Sequence, residues 1–310
     1  MITDEKLFDV AVAYYIKGKL QREIAEELGV SRVQVSKYLS LAHKRGVVGI
    51  SVNPPWVEDN EEERYQILFK QFFDIDSLIL TPKLHHENKT YQVLIEHATN
   101  YLINDAGQIP LNVGVGWGKT IYDISLQKNP NNESIPWTIS PLAVTSNFDD
   151  DYFNYHAITS NFKSLWGTET SDPLMSMLAT NSSYEQHLNT VTSLWESLDM
   201  LVFGIGISFT RYPGSRTHLF PKDTLNKLRT LDITGDIINT FFDIDGNLFI
   251  PKSSEMVTVP FNILKNVKKK VAIASGCQKV PSIIGACRSG LVDTLVTDIQ
   301  TAKLIMEYLD

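Results

Sequence analysis

Cysteine is scarce: Cys277 and Cys287 are the whole complement in 310 residues. Two cysteines cannot build a disulfide framework, and their spacing is not that of a zinc pair. The seven histidines fall into no metal-ligand pattern, so no metal site is expected. Long apolar runs are missing too. None approaches the roughly 20 residues that a membrane span needs. The opening MITDEKLFDV lacks a cationic start followed by an apolar stretch, so no signal peptide is read there. A reduced chain in the cytoplasm, with no membrane partner, is the expectation. Positive charge is in deficit: 28 Lys and Arg stand against 36 Asp and Glu, for a net charge of −8. That excludes a uniformly basic, nucleic-acid-coating surface. The length suits about two domains.

The charge is unevenly placed. Residues 1–53 carry eight cations and six acids, a balance of +2, while the remainder sums to −10. The cations gather around LQREIAEELGVSRVQVSKYLSLAHKR (20–45). Leu20, Ile24, Ala25 and Leu28 recur at helical spacing, and Gly29 suits the left-handed residue that ends a helix. Ser31 stands where an N-cap belongs, and Val35, Leu39 and Ala42 continue an apolar stripe on a second helix. Two short helices around a tight turn make a helix-turn-helix, whose second helix enters the major groove of DNA. With that stripe inward, Arg32, Val33, Gln34, Ser36 and Lys37 face base edges. A cation pairing with guanine is worth about 1–3 kcal/mol of discrimination. Gln21, Arg22, Ser31 and Ser36 are placed for phosphates, which position without specifying. The plainer alternative is a helical hairpin with solvated cations.

VVGISV (47–52) reads as a strand, making a wing beside the helices. Asn53-Pro54-Pro55 then breaks the chain, because neither proline donates a ladder hydrogen bond and each restricts its predecessor. The expected organisation is a DNA-binding domain over 1–53, a linker and connecting helix over 54–75, and a second domain over 76–310. The connecting helix has Tyr65, Leu68, Phe69, Phe72 and Phe73 as its apolar stripe. Such a stripe fits either docking on the second domain or a dimer contact. Beyond it, candidate strands (77–82, 110–116, 137–144, 200–206, 236–243, 269–275, 293–298) alternate with helical stretches (91–103, 118–126, 280–289, 299–308). This alternation predicts an α/β domain with a mostly parallel sheet.

Four strand ends carry unusual chemistry. VGVGWGKT (113–120) brings Gly116, Gly118, Lys119 and Thr120 to a strand–helix turn, where exposed amides and a cation favour an anion. It has neither the GxxxxGK[ST] nor the full GxGxxG spacing, so no nucleotide cofactor is expected. FGIGIS (203–208) supplies Gly206 and Ser208, followed by Arg211. FFDIDG (241–246) supplies Asp243 as a carboxylate for sugar hydroxyls. ASGCQK (274–279) supplies Lys279. Ligands of open α/β sheets gather beyond the carboxyl ends of the strands. Amides, hydroxyls, one acid and cations suit a sugar or sugar phosphate. Catalysis would need an acid–base pair held near a substrate carbon. His156 and His218 have no spacing that ties them to Asp243, and no catalytic residue is assigned.

Four blocks together resemble the SorC family of sugar-responsive transcription regulators: LQREIAEELGVSRVQVSKYLSLAHKRGVVGISV, VGVGWGKT, FGIGIS and SGCQKVPSIIGACRSGLVDTLVTDIQTA. The resemblance implies a winged-helix-like N-terminal domain and a Rossmann-like effector domain related to sugar-phosphate isomerases and deaminases. It implies a dimer or tetramer whose operator affinity is set by a phosphorylated sugar. Gly118, Lys119 and Thr120 would then lie at the phosphate, Asp243 at the hydroxyls and Lys279 at the phosphate or the anomeric end. An isomerase- or deaminase-like enzyme with an accessory DNA-binding domain is the competing expectation.

Overall fold

Each early helix is closed by the residue its sequence provides. Helix α1 (Asp4–Ala11) starts where the Thr3 hydroxyl accepts the Lys6 N–H, and it runs on into a π turn, Val12–Ile16. Helix α2 (Gln21–Leu28) is tied at its start by the Glu23 carboxylate, which accepts the Leu20 N–H at 2.9 Å. It ends at Gly29, with φ at 63°. Ser31 Oγ accepts the Gln34 N–H at 3.2 Å and opens α3 (Arg32–Lys44). This computed structural model describes residues 2–48, 59–104, 109–130, 133–145, 152, 154–171, 184–208, 221–251 and 256–309. Two units result, Met1–Pro54 and Pro55–Asp310. The smaller one is held by Val10, Ile24, Ala25, Val35 and Leu39, with Leu7, Ala11 and Ala42 beside them. Val47 and Val48 form no strand, and the rest of the expected wing lies outside the described residues.

The larger unit opens with α4 (Asp59–Phe73). Its Tyr65, Phe69 and Phe73, four residues apart, are buried in that unit's core. Three aromatic rings on one helical face need such cover, which a bare connector does not supply. Next come β1 (Ser77–Thr81), α5 (Glu87–Asn104), β2 (Leu111–Val115), α6 (Lys119–Ser125), β3 (Trp137–Pro141), β4 (Ala143–Thr145), α7 (Tyr155–Trp166) and β5 (Glu169–Thr170). They are followed by α8 (Tyr184–Glu196), β6 (Met200–Gly204), β7 (Gly206–Ile207), α9 (Lys222–Thr230), β8 (Gly235–Ile237), β9 (Thr240–Phe242) and β10 (Leu248–Phe249). The chain closes with β11 (Met256–Thr258), α10 (Phe261–Asn266), β12 (Lys269–Ile273), α11 (Val280–Arg288), β13 (Thr294–Asp298) and α12 (Ile299–Leu309).

Seven strands form the central sheet in the order β1-β13-β12-β6-β2-β3-β5. Every pairing in it is parallel. The inner strands are buried almost end to end, as strands covered on both faces must be. From β2 the chain moves outward to β3 and β5, returns to β6 on the other side of β2, then continues to β12 and β13. The direction of winding reverses between β2 and β6. At such a switch point the loops leave in opposite directions and open a crevice.

Three expected strands are split, the first being 200–206, which divides at Ile205 between β6 of the central sheet and β7. Residues 236–243 form a hairpin, β8 and β9, within a small antiparallel sheet β10-β9-β8-β7, and do not join the central sheet. Ile238 (φ 48°) and Asn239 (φ 60°) make the two-residue turn with both residues left-handed, the geometry that suits strand twist in a tight hairpin. The stretch 137–144 divides at Leu142, and β4 pairs with β11 instead.

Candidate functional site

On α3 the buried residues are Val35, Leu39 and Ala42, so helical phase turns Arg32, Val33, Ser36 and Lys37 outward. Val33 is 66% exposed, an uncovered apolar side chain on a polar face. Gln34 and Gln21 are half-buried, Arg22 is exposed, and Ser31 is exposed with its hydroxyl engaged in the cap. All eight residues expected to meet DNA therefore lie on α3 or at the starts of α2 and α3. Ser36, Lys37, Ser40, Leu41 and Lys44 line a shallow groove of about 240 Å³. Ser40 and Lys44 were not singled out in the sequence, although they continue the exposed face at helical spacing. Charge on this unit is trimmed by ion pairs: Lys19 with Glu27 at 2.5 Å and Arg45 with Asp4 at 2.6 Å.

In the larger unit, three strand ends meet at the switch point. After β2, Gly116 donates its N–H to Val202 O at 2.8 Å. A Cβ there would lie 2.7 Å from Ile238 Cδ1 and 3.0 Å from Phe203 Cβ, so a side chain would push Ile238 at the hairpin tip aside and crowd Phe203. Gly118, at φ 97°, caps α6 and donates its N–H to Tyr152 O at 2.7 Å. Thr120 is buried, and a Cβ on Gly204 would stand 3.9 Å from its hydroxyl. After β6, Gly206 pairs with Asp236 across β7 and β8, and Ser208 is buried. After β12, half-buried Lys279 reaches back and donates from Nζ to Ile205 O at 2.7 Å, between the two glycines of that loop.

Two expected residues are held elsewhere. The Lys119 ammonium is paired with Asp123 at 2.5 Å and sits 4.2 Å from the centre of the Tyr91 ring. Tyr91 donates its hydroxyl to the same carboxylate at 2.8 Å. Burial, and then that hydrogen bond, push the phenol above its ordinary range. This cluster faces a cavity of about 590 Å³ between α5 and α6. Asp243 closes its own turn. One oxygen accepts the N–H groups of Asp245 and Asn247 at 2.9 Å, and the other accepts the Asn247 side-chain amide at 2.9 Å. The turn lies against the far end of α11 from Lys279: Arg288 donates to Ile244 O at 3.1 Å. Arg211 lies outside the described residues.

Strand pairing also brings a buried acid, Asp236, beside the loop that follows β6. It is 2% exposed, opposite Gly206, and accepts the Asn239 N–H at 3.2 Å. The signal for it was an acid inside an otherwise apolar run, DIINTFF, at a place where a buried carboxylate needs a purpose.

Residues 60–307 match the family described as "Putative sugar-binding domain". The chain belongs to this family. It is 23% identical over 313 residues to the sorbitol operon regulator of Klebsiella pneumoniae, covering 96% of both chains. It is 23% identical over 314 residues to the deoxyribonucleoside regulator of Bacillus subtilis, covering 97% of both. The crystal structure of the full-length sorbitol operon regulator SorC superposes with a TM-score of 0.72 at 22% identity, covering 99% of each chain. The protein is thus a SorC-family, sugar-binding transcriptional regulator with a helical N-terminal unit and a Rossmann-like larger one. Among its described residues no helix is long and apolar enough to cross a membrane.

Proposed function

We propose that this SorC-family regulator binds operator DNA through α3 and is switched by a sugar or sugar phosphate held at the ends of β2, β6 and β12. The observation that carries this reading is the meeting of Thr120, Gly206, Asp236 and Lys279 at the winding reversal. Lys279 is the cation for a phosphate or an anomeric oxygen. The amides after Gly118 and the Thr120 hydroxyl assist it, and Ser208 adds a hydroxyl beyond β6. Asp236 accepts sugar hydroxyls, in place of Asp243. Lys119 contributes only if it leaves Asp123, and Arg211 completes the cation set expected from the sequence. Arg32, Val33, Gln34, Ser36 and Lys37 read bases, while Gln21, Arg22 and Ser31 hold phosphates. The protein works in the cytoplasm as a homo-oligomer with paired heads. No turnover is assigned to it: the groups named here bind and orient, and none is assigned to move a proton at a substrate carbon. A coupling free energy of about 1–3 kcal/mol between sugar and operator is enough for the switch.

Thermal-shift screening of sugar phosphates against free polyols tests this. A true effector at about 100 times its dissociation constant stabilises the fold by roughly 2.7 kcal/mol. It should also change the mobility of an operator duplex bound to the protein. A panel without any stabilising sugar sinks the effector reading. Steady turnover of one sugar phosphate would favour the enzyme alternative.

A further inference from the structure

Asp298 poses a problem that the crevice does not at first explain. It ends β13, is 2% exposed, and forms no ion pair among the described residues. A carboxylate buried without a cation is costly and needs full hydrogen bonding. Its partners are both on Thr301: the backbone N–H at 3.0 Å and the hydroxyl at 2.5 Å. The first contact is an ordinary cap for α12. The second does something a cap does not require. With its proton committed to Asp298, the Thr301 oxygen presents a lone pair outward, and it accepts the Gly276 N–H at 2.8 Å. Gly276 stands at φ 109°, and its carbonyl accepts the Lys279 N–H at 2.9 Å. That bond closes the turn Cys277–Lys279, from which the Lys279 side chain reaches Ile205 O.

We infer that Asp298 and Thr301 are positioning residues for Lys279. The buried carboxylate fixes the direction of the hydroxyl, the hydroxyl anchors the β12–α11 loop through Gly276, and the loop aims the ammonium across the end of β6. The consequence for effector binding rests on the crevice reading given above; the anchoring itself does not.

Thr301→Val in the full chain separates the roles, because it keeps the cap on the backbone N–H and removes only the outward link. Thr301→Ser restores the hydroxyl. Two local signals report the anchor: hydrogen exchange of the Gly276 amide, and labelling of Lys279 by trinitrobenzenesulfonate, read by peptide mass spectrometry against Lys163. Losing one hydrogen bond should speed both in the valine variant by about fivefold, with the serine variant near wild type and Lys163 unchanged. Unchanged exchange and labelling would overturn the inference. If the valine variant does not fold, Asp298→Asn serves in its place: with its Oδ1 on the Thr301 N–H that caps α12, an NH2 donor replaces the oxygen that accepted the hydroxyl proton, and both signals should rise. Inorganic phosphate is the binding probe. Weaker phosphate binding by about fivefold in the valine variant supports positioning. Wild-type affinity despite a loosened loop refutes it. A wild-type protein that ignores phosphate counts against the phosphate reading of the crevice, while exchange and labelling still decide the anchor.

Discussion

The proposed DNA-reading face and the proposed sugar crevice are built in opposite ways. The face comes from one stretch, residues 21–44, in which each side chain's direction follows from its place on a helix. The crevice gathers residues from β2, β6, β8 and β12, and its geometry depends on which strands are neighbours. Local periodicity therefore settles the first, and only the strand order settles the second.

The sharpest way to break this comparison is at Lys279. Lys279→Glu should abolish the thermal shift given by an effector, a loss on the order of 100-fold in affinity, because a charge-assisted bond becomes a repulsion. DNA binding without effector should survive, since no residue of the small unit changes. Equal loss of both would show that the two regions are not separable. Next in size is Lys37→Ala, expected to cost about 1–3 kcal/mol at the operator and less on random duplex. Equal losses on both duplexes would make Lys37 a phosphate contact. Ser31→Ala should cost about 1 kcal/mol of stability by removing the cap on α3, seen as a lower Tm even without DNA. An unchanged Tm would mean that the cap contributes nothing.

The smallest effect concerns the larger unit alone. Burial holds the His97 imidazole below its ordinary value, with Glu96 and Glu62 opposing. The unfolded chain therefore binds a proton before the folded one does. Stability from this group is complete above the ordinary histidine value and is lost as pH falls toward the lower folded value. Between about pH 7.5 and about pH 5.5, His97→Gln should lessen the fall in Tm. An identical fall in both proteins would remove His97 as a contributor.

These contrasts account for what could be read from the sequence. Gly29, Ser31 and the stripe Val35, Leu39 and Ala42 specified the helical head, because caps and periodicity are local. The glycine-bearing ends of β2, β6 and β12 were also legible, since a tight exit from a buried strand leaves its mark in composition. What was not legible came from pairing. The run 236–243 hid a hairpin, because its turn is Ile-Asn and not the usual Asn-Gly or Asp-Gly. Pairing brings Asp236 opposite Gly206, whereas Asp243, at the end of the run, closes its own turn. Position alone puts Lys119 at the strand–helix turn and says nothing of its pairing with Asp123 one helical turn further on.

On the proposed reading, the two ion pairs among the described residues of the head set how steeply its grip weakens with salt. Lys19 and Arg45 already have counter-charges in Glu27 and Asp4, whereas Arg22, Arg32, Lys37 and Lys44 form no ion pair among the described residues. If those four each displace one condensed counterion, the logarithm of affinity falls with the logarithm of salt at a slope of about −3.6 per head. Removing the carboxylate of Asp4 or Glu27 frees one more cation and steepens that slope by up to about 0.9 if it reaches the backbone. The acids of the head thus act as a built-in brake on indiscriminate adhesion to duplex.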